Sequence, residues 1–352
     1  METKFNAKIP LFTLSRDKQF TYAAGGGGST KSGVKNGIFK IPENIEERKF
    51  YSTEDMSVSS LITIKNPEDE KKRIIIYNAN EYLFVCDEEM NVQSKVEALE
   101  VEDAEENCVN ITQLVYSKKN KSVFAGWSTG IIQKFELTKE NKLELKETFE
   151  NIREDKKENN ITGMCLSKDQ DKLFVTSHAR QLTVYDCETG KIDKSVYPED
   201  LNKKWDSSMF WGCTINADGN DVVLGLMKKS NPSYLVVVDT NEFKMKKVVY
   251  LSKSQISSTL STDKKKTVAS IGCNDGLVVV VSMINYTVVC VKKHHNFVVT
   301  ETSIDYNSNV ASVGLDYNYV VSPITKKSNT TLMIALILII LAIFFYLFKF
   351  VF

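Results

Sequence analysis

Apolar and polar residues alternate through most of this chain in short runs, each closed by a cluster of Gly, Asn, Asp, Ser or Lys. A period of two sends successive side chains to opposite faces of an extended backbone, so the pattern predicts β-strands joined by tight turns. The clearest unit contains ITGMCLS (161–167), the turn KDQD, KLFVTSH (172–178), LTVYD (182–186), the turn CETG and KIDKSVY (191–197). Four strands in that order form one antiparallel sheet of the propeller-blade type.

Comparable openings recur as LFTLS at Leu11, SSLITIK at Ser59, ITQLVYS at Ile111, WGCTIN at Trp211, ISSTLS at Ile256 and VVTETSIDY at Val298. Their spacing of roughly 40 to 50 residues lies near the WD-repeat and kelch periods. The expected fold is all-β: a seven-bladed WD-repeat-like β-propeller over residues 1–325, followed by a single C-terminal transmembrane helix. The last unit has only three strands, because YVVSPI (319–324) runs directly into KKSNTT. TKFNAKI (3–9) is expected to supply the fourth strand and close the ring, leaving no open edge. Two charged stretches, 97–107 and 139–160, are expected as loops between blades or as solvated strand extensions.

The tail departs from the alternating pattern. Residues 332–348 (LMIALILIILAIFFYLF) are apolar throughout, and with their flanks they reach the roughly 20 residues that span a bilayer. A linker at 326–331 and an anchor at 332–352 are expected. The start of the chain lacks a basic region followed by a long apolar stretch, so no signal peptide is expected. Together these features predict a single-pass, tail-anchored protein with its propeller facing the cytosol, an orientation that Lys326 and Lys327 before the span also favour.

Charge and chemistry narrow the picture. With 45 basic and 45 acidic residues the formal net charge is zero, so no overall field draws the chain to nucleic acid. The seven cysteines stand singly without a Cys-x-x-Cys pair and are expected to be reduced thiols. The histidines are His178, His294 and His295, and if the adjacent pair lay in a strand its side chains would face opposite ways. No recognisable nucleophile motif surrounds them, and no enzyme is expected.

The densest signal is TYAAGGGGSTKSGVKNGIFKI (21–41): six of sixteen glycines fall between residues 25 and 37. Glycine in such density marks backbone that turns unusually or approaches another group closely. The string GGGGSTKS is close to a Walker A loop, but Thr30 stands at the second glycine position. The following residues, 34–41, suit a strand rather than the helix that holds phosphate. Asn36-Gly37 is in itself also an ordinary hairpin-turn signal.

GGGGSTKSGVKNGI (25–38), placed in the first unit of a propeller with an apolar tail, resembles the potassium-binding loop of the PREB family. These are the endoplasmic-reticulum guanine nucleotide exchange factors for the Sar GTPase, which begins assembly of coat protein complex II. The resemblance implies an endoplasmic-reticulum membrane protein that promotes GDP release from a Sar-type small GTPase. It implies a potassium ion held by backbone oxygens within residues 25–36, with the individual ligands unassigned. It places the family's GTPase-engaging asparagine on Asn36, and gives Gly25, Gly26, Gly27, Gly28, Gly33, Gly37 and Ile38 the shaping of the loop. The sequence departs from the family in having almost nothing beyond the apolar tail and in lacking the Trp-Asp blade signature. A membrane-tethered propeller scaffold without exchange activity is the alternative.

Overall fold

A computed structural model describes residues 2–28, 30–97, 110–149, 159–228 and 232–325. The expected linker and transmembrane anchor, most of the acidic stretch 97–107, Cys108 and Ser29 lie outside the described residues. Among the described residues, no helix is long and apolar enough to cross a membrane.

Seven four-stranded antiparallel sheets form a ring. The first six blades run over residues 11–52, 58–97, 111–148, 161–196, 209–252 and 261–293. In each, the strands lie in chain order from the central channel outward. Blade 7 takes three strands from residues 299–323 and its fourth from Thr3–Asn6, which pairs antiparallel with Asn318–Pro323 in the register Thr3↔Val321 to Asn6↔Asn318.

Middle strands and outer strands differ as their environments require. Ser122–Trp127 and Asp221–Met227, each the second strand of its blade, are buried at every position. They are covered by the neighbouring blade on each side, which explains their near-continuous apolar sequence. The outermost strands Val92–Glu97 and Met245–Ser252 are mostly exposed and carry lysines, which discourage edge-to-edge pairing with other chains. The polar residues 143–148, expected as loop or extension, form the fourth strand of blade 3, with Leu143 buried and the intervening positions solvated.

The apolar core is divided rather than central. Seven buried clusters each join two adjacent blades, one per interface around the ring. The cluster between blades 7 and 1 includes Phe5, Ala7 and Ile9 from the N-terminal segment, so ring closure is an apolar seam as well as a ladder. The middle of the ring is a polar channel enclosing about 520 Å³, lined by Thr13, Ser60, Thr162, Thr259 and Glu301 among others.

Blade 6 breaks the pattern at its first strand. Only Ser261–Thr262 joins the ladder, and Ile256 makes an isolated bridge with Cys273. Between them the Ser258 hydroxyl accepts from the Gly272 amide at 2.7 Å, and the Ser257 hydroxyl donates to the Val299 carbonyl of blade 7 at 2.7 Å. Local hydroxyls have replaced backbone partners there, as Ser and Thr readily do.

Candidate functional site

The Gly-rich segment connects the second strand of blade 1, Thr21–Gly26, to the third, Asn36–Ile41. Between them lies one short 3-10 turn, Thr30–Ser32, and then the strand. The loop therefore leads into a strand rather than a phosphate-holding helix, as its sequence requires. It stands on the same face of the ring as the connection between residues 6 and 11, because the Gly26 amide donates to the Pro10 carbonyl at 3.0 Å. The last strand starts on this face at Asn318 and ends at Pro323 on the opposite one. The described chain thus ends on the face away from the loop.

Asn36 organises the loop from within. It is only 2% exposed. Its Oδ1 accepts from the Gly28 amide at 2.9 Å, and its Nδ2 donates to the Gly28 carbonyl at 2.6 Å and to the Glu54 carbonyl at 2.9 Å. One side chain therefore clasps the rising limb of the loop and ties it to the turn that follows the outermost strand. The side chain expected to meet a GTPase is turned inward, and its direct contact with a partner requires this clasp to open.

The glycines serve different ends. A Cβ on Gly26 would sit 2.0 Å from Asn36 Oδ1, and one on Gly27 would sit 2.5 Å from the Val34 side chain, so these two admit close approach. Gly28 and Gly33 have open space around them but φ of +77° and +69°, the left-handed region that side chains disfavour. Gly25 and Gly37 lie in the paired strand ends, against Pro10 and Tyr51 respectively. Ile38 is fully buried in the cluster between blades 1 and 2 and anchors the descending limb in the core.

Residues 25–36 offer a cation neutral oxygens only, since the segment contains no carboxylate and carries Lys31 and Lys35. The Gly28 carbonyl is already engaged by Asn36 and the Ser32 hydroxyl accepts from the Val34 amide at 3.2 Å. Uncharged oxygen donors suit a weakly held, hard monovalent ion in kind. Among the described residues, no cluster of His, Cys, Asp and Glu could hold a metal.

One constellation escaped the sequence. His294 and His295 lie beyond the end of the strand Thr287–Lys293, so strand alternation does not separate them. Both rings reach Ser312, with His294 Nδ1 at 2.7 Å and His295 Nε2 at 2.8 Å from its hydroxyl. Asp316 lies 2.8 Å from His295 Nδ1, and Ser322 lies 2.7 Å from His294 Nε2. Asp, His and Ser stand in the order of a hydrolytic triad, but Ser312 is fully buried and shared by two imidazoles, so no substrate reaches it. The network instead fastens the exit of blade 6 to blade 7. Burial and the neighbouring His295 and Lys292 push His294 down to about 3, and burial also lowers His295.

No family model matches the chain, and no curated protein matches it. Solved structures do: a chain from "Crystal Structure of Mitotic Checkpoint Complex" superposes with a TM-score of 0.68 over 92% of this chain and 94% of that one, at 11% identity. A likeness at that identity establishes the WD-repeat-like propeller fold alone.

Proposed function

We propose that the protein is a guanine nucleotide exchange factor for a Sar-type small GTPase at the endoplasmic-reticulum membrane, with the Gly-rich loop of blade 1 as the element that enters the GTPase. The observation that carries this reading is the loop itself: a long, glycine-shaped projection, clasped at its base by Asn36 and seated on the face away from the described C-terminal end. A clasped loop loses little freedom on docking, so more of its contact energy is available to compete with bound nucleotide.

Exchange by this route needs no proton transfer and no nucleophile. The factor binds the nucleotide-free GTPase more tightly than the GDP-bound form, and by linkage GDP is bound more weakly in the complex. Asn36 acts in this scheme as the clasp that sets the loop's shape. A potassium ion held by the loop's carbonyls would stiffen the tip further, so replacing potassium with lithium is expected to lower exchange while leaving the propeller's unfolding temperature unchanged. A propeller is in general a binding platform, and a membrane-tethered scaffold is the reading that remains if exchange fails.

The test is differential affinity. Surface-immobilised full-length protein is expected to retain nucleotide-free Sar-type GTPase at least about tenfold more tightly than the GDP-loaded form, since a partner with equal affinity for both states shifts neither. Equal retention of the two forms rejects the exchange reading.

A further inference from the structure

The turn between the first two strands of blade 6, DKKKT (263–267), contains three consecutive lysines. Its one carboxylate is spent on the turn: Asp263 accepts from the Thr267 and Val268 amides at 2.6 and 2.9 Å and from the Thr267 hydroxyl at 2.9 Å. Lys266 takes φ of +53°, a conformation in which a side chain is unfavourable and which a glycine or asparagine would adopt at less cost. Across from it, the corresponding turn of blade 4 presents Lys168. These four lysines line one cavity of about 520 Å³ together with the hydroxyl residues Ser167 and Thr214.

The four ammonium groups have no carboxylate partner among the described residues, whereas nearby lysines do. Lys119 pairs with Asp171, and Lys246 pairs with Asp221 and Asp239. Asp169, beside Lys168, is occupied by the Ser167 hydroxyl and the Asp171 amide. Lys264 lies 5.7 Å from the Tyr306 ring and makes no ion pair. Lys266 is half-buried, and burial holds its ammonium below the ordinary lysine range. Four lysines lining one cavity, one of them half-buried, cost stability in a chain that has as many carboxylates as cations to place. A multiply charged anion relieves that cost.

We propose that this cavity binds a small polyol phosphate, free or as the headgroup of a phosphorylated lipid. Lysine ammonium groups meet phosphate oxygens as mobile point charges, and the Thr214 hydroxyl, which also lines the cavity, adds a neutral donor. The cavity opens beside the turns that follow the inner strands, on the face where the last strand ends at Pro323. The apolar run 332–348 follows from that side of the ring in sequence, which favours a lipid headgroup as the source.

The full-length protein in neutral detergent is titrated calorimetrically with inositol 1,4,5-trisphosphate, with inositol as the uncharged control, and with mixed micelles containing phosphatidylinositol 4-phosphate or phosphatidylinositol. Saturable binding of the trisphosphate, weakened by salt and absent for inositol, is expected. Lys266→Met is expected to weaken it about tenfold or more, the loss of one desolvated charge contact, while raising the unfolding temperature because an uncompensated buried charge is removed. The double variant Lys264→Gln/Lys265→Gln, at exposed positions that leave the core untouched, is expected to weaken binding likewise. Tighter binding of the phosphorylated lipid than of the soluble trisphosphate identifies a headgroup, and the reverse identifies a free ligand. Failure of both phosphorylated probes to bind, or wild-type binding by both variants, overturns the proposal.

Discussion

Asn36 meets three backbone groups with one side chain, and this economy makes it the residue whose replacement says most. Asn36→Ala strands the Gly28 amide and the Gly28 and Glu54 carbonyls, and is expected to cost roughly 1–3 kcal/mol of stability by urea unfolding. Asn36→Asp should cost more, because it sets a carboxylate against two carbonyl oxygens. If both variants unfold at the wild-type urea concentration, Asn36 is not a clasp. The sequence singled out Asn36-Gly37 and the glycines, and the structure gives them a shared geometry in one loop. The inward turn of the Asn36 side chain was not legible, because one of its partners, Glu54, comes from a turn eighteen residues later that only the closed sheet brings close. From sequence all six glycines share one loop-shaping role, whereas the structure divides them: Gly28 and Gly33 serve backbone conformation, and Gly26 also makes room for the Asn36 oxygen beside it.

At the scale of elements, the junction of blades 6 and 7 holds two groups with shifted titration, His294 and Glu301. His294 is held neutral, with its folded pKa depressed to about 3, so the folded state binds fewer protons than the unfolded chain below the ordinary histidine range. Its contribution is present above about pH 6.5 and is lost as the pH falls toward 3, with a slope of up to about 1.4 kcal/mol per pH unit. Glu301 has the opposite sign. Burial pushes its carboxyl up to about 7, although it lines the channel and is only half-buried by area, so water there tempers the effect. Its contribution is complete below its ordinary pKa and fades as the pH rises through about 7. Denaturant midpoints at pH 5 and pH 8 check this: Glu301→Gln should gain stability relative to wild type at pH 8 more than at pH 5. An equal change at both values would show that Glu301 titrates normally.

The strands and their order were readable from short runs closed by turn residues, since strands buried between blades read as near-continuous apolar segments bounded by polar turns. The broken first strand of blade 6 was not, because ISSTLS has the composition of its counterparts and only the hydroxyl bonds of Ser257 and Ser258 divert it. Of the two readings of the charged stretch 139–160, the solvated strand holds for residues 143–148, where Leu143 is the one buried side chain.

At the scale of the molecule, the ring is closed by a segment from the other end of the chain. Removing residues 2–9 deletes the fourth strand of blade 7 and withdraws Phe5, Ala7 and Ile9 from the seam with blade 1. The truncated protein is expected to unfold at lower urea and over a broader range than wild type, because blades 7 and 1 would separate before the rest. A sharp transition at the wild-type midpoint would show that closure does not depend on that strand. Closure also fixes the polarity of the disc, with the Gly-rich loop on one face and the end of the last strand on the other. The lysine cavity shares the latter face, so the two candidate sites point in opposite directions.

The proposed role of the clasped loop is to drive nucleotide exchange. It is tested most directly by the rate of GDP release from a Sar-type GTPase, measured with the full-length protein and with Asn36→Asp, both shown to be folded by circular dichroism. The wild-type protein is expected to accelerate release and the variant to lose most of the acceleration. No acceleration by the wild-type protein, or equal acceleration by the variant, would contradict it.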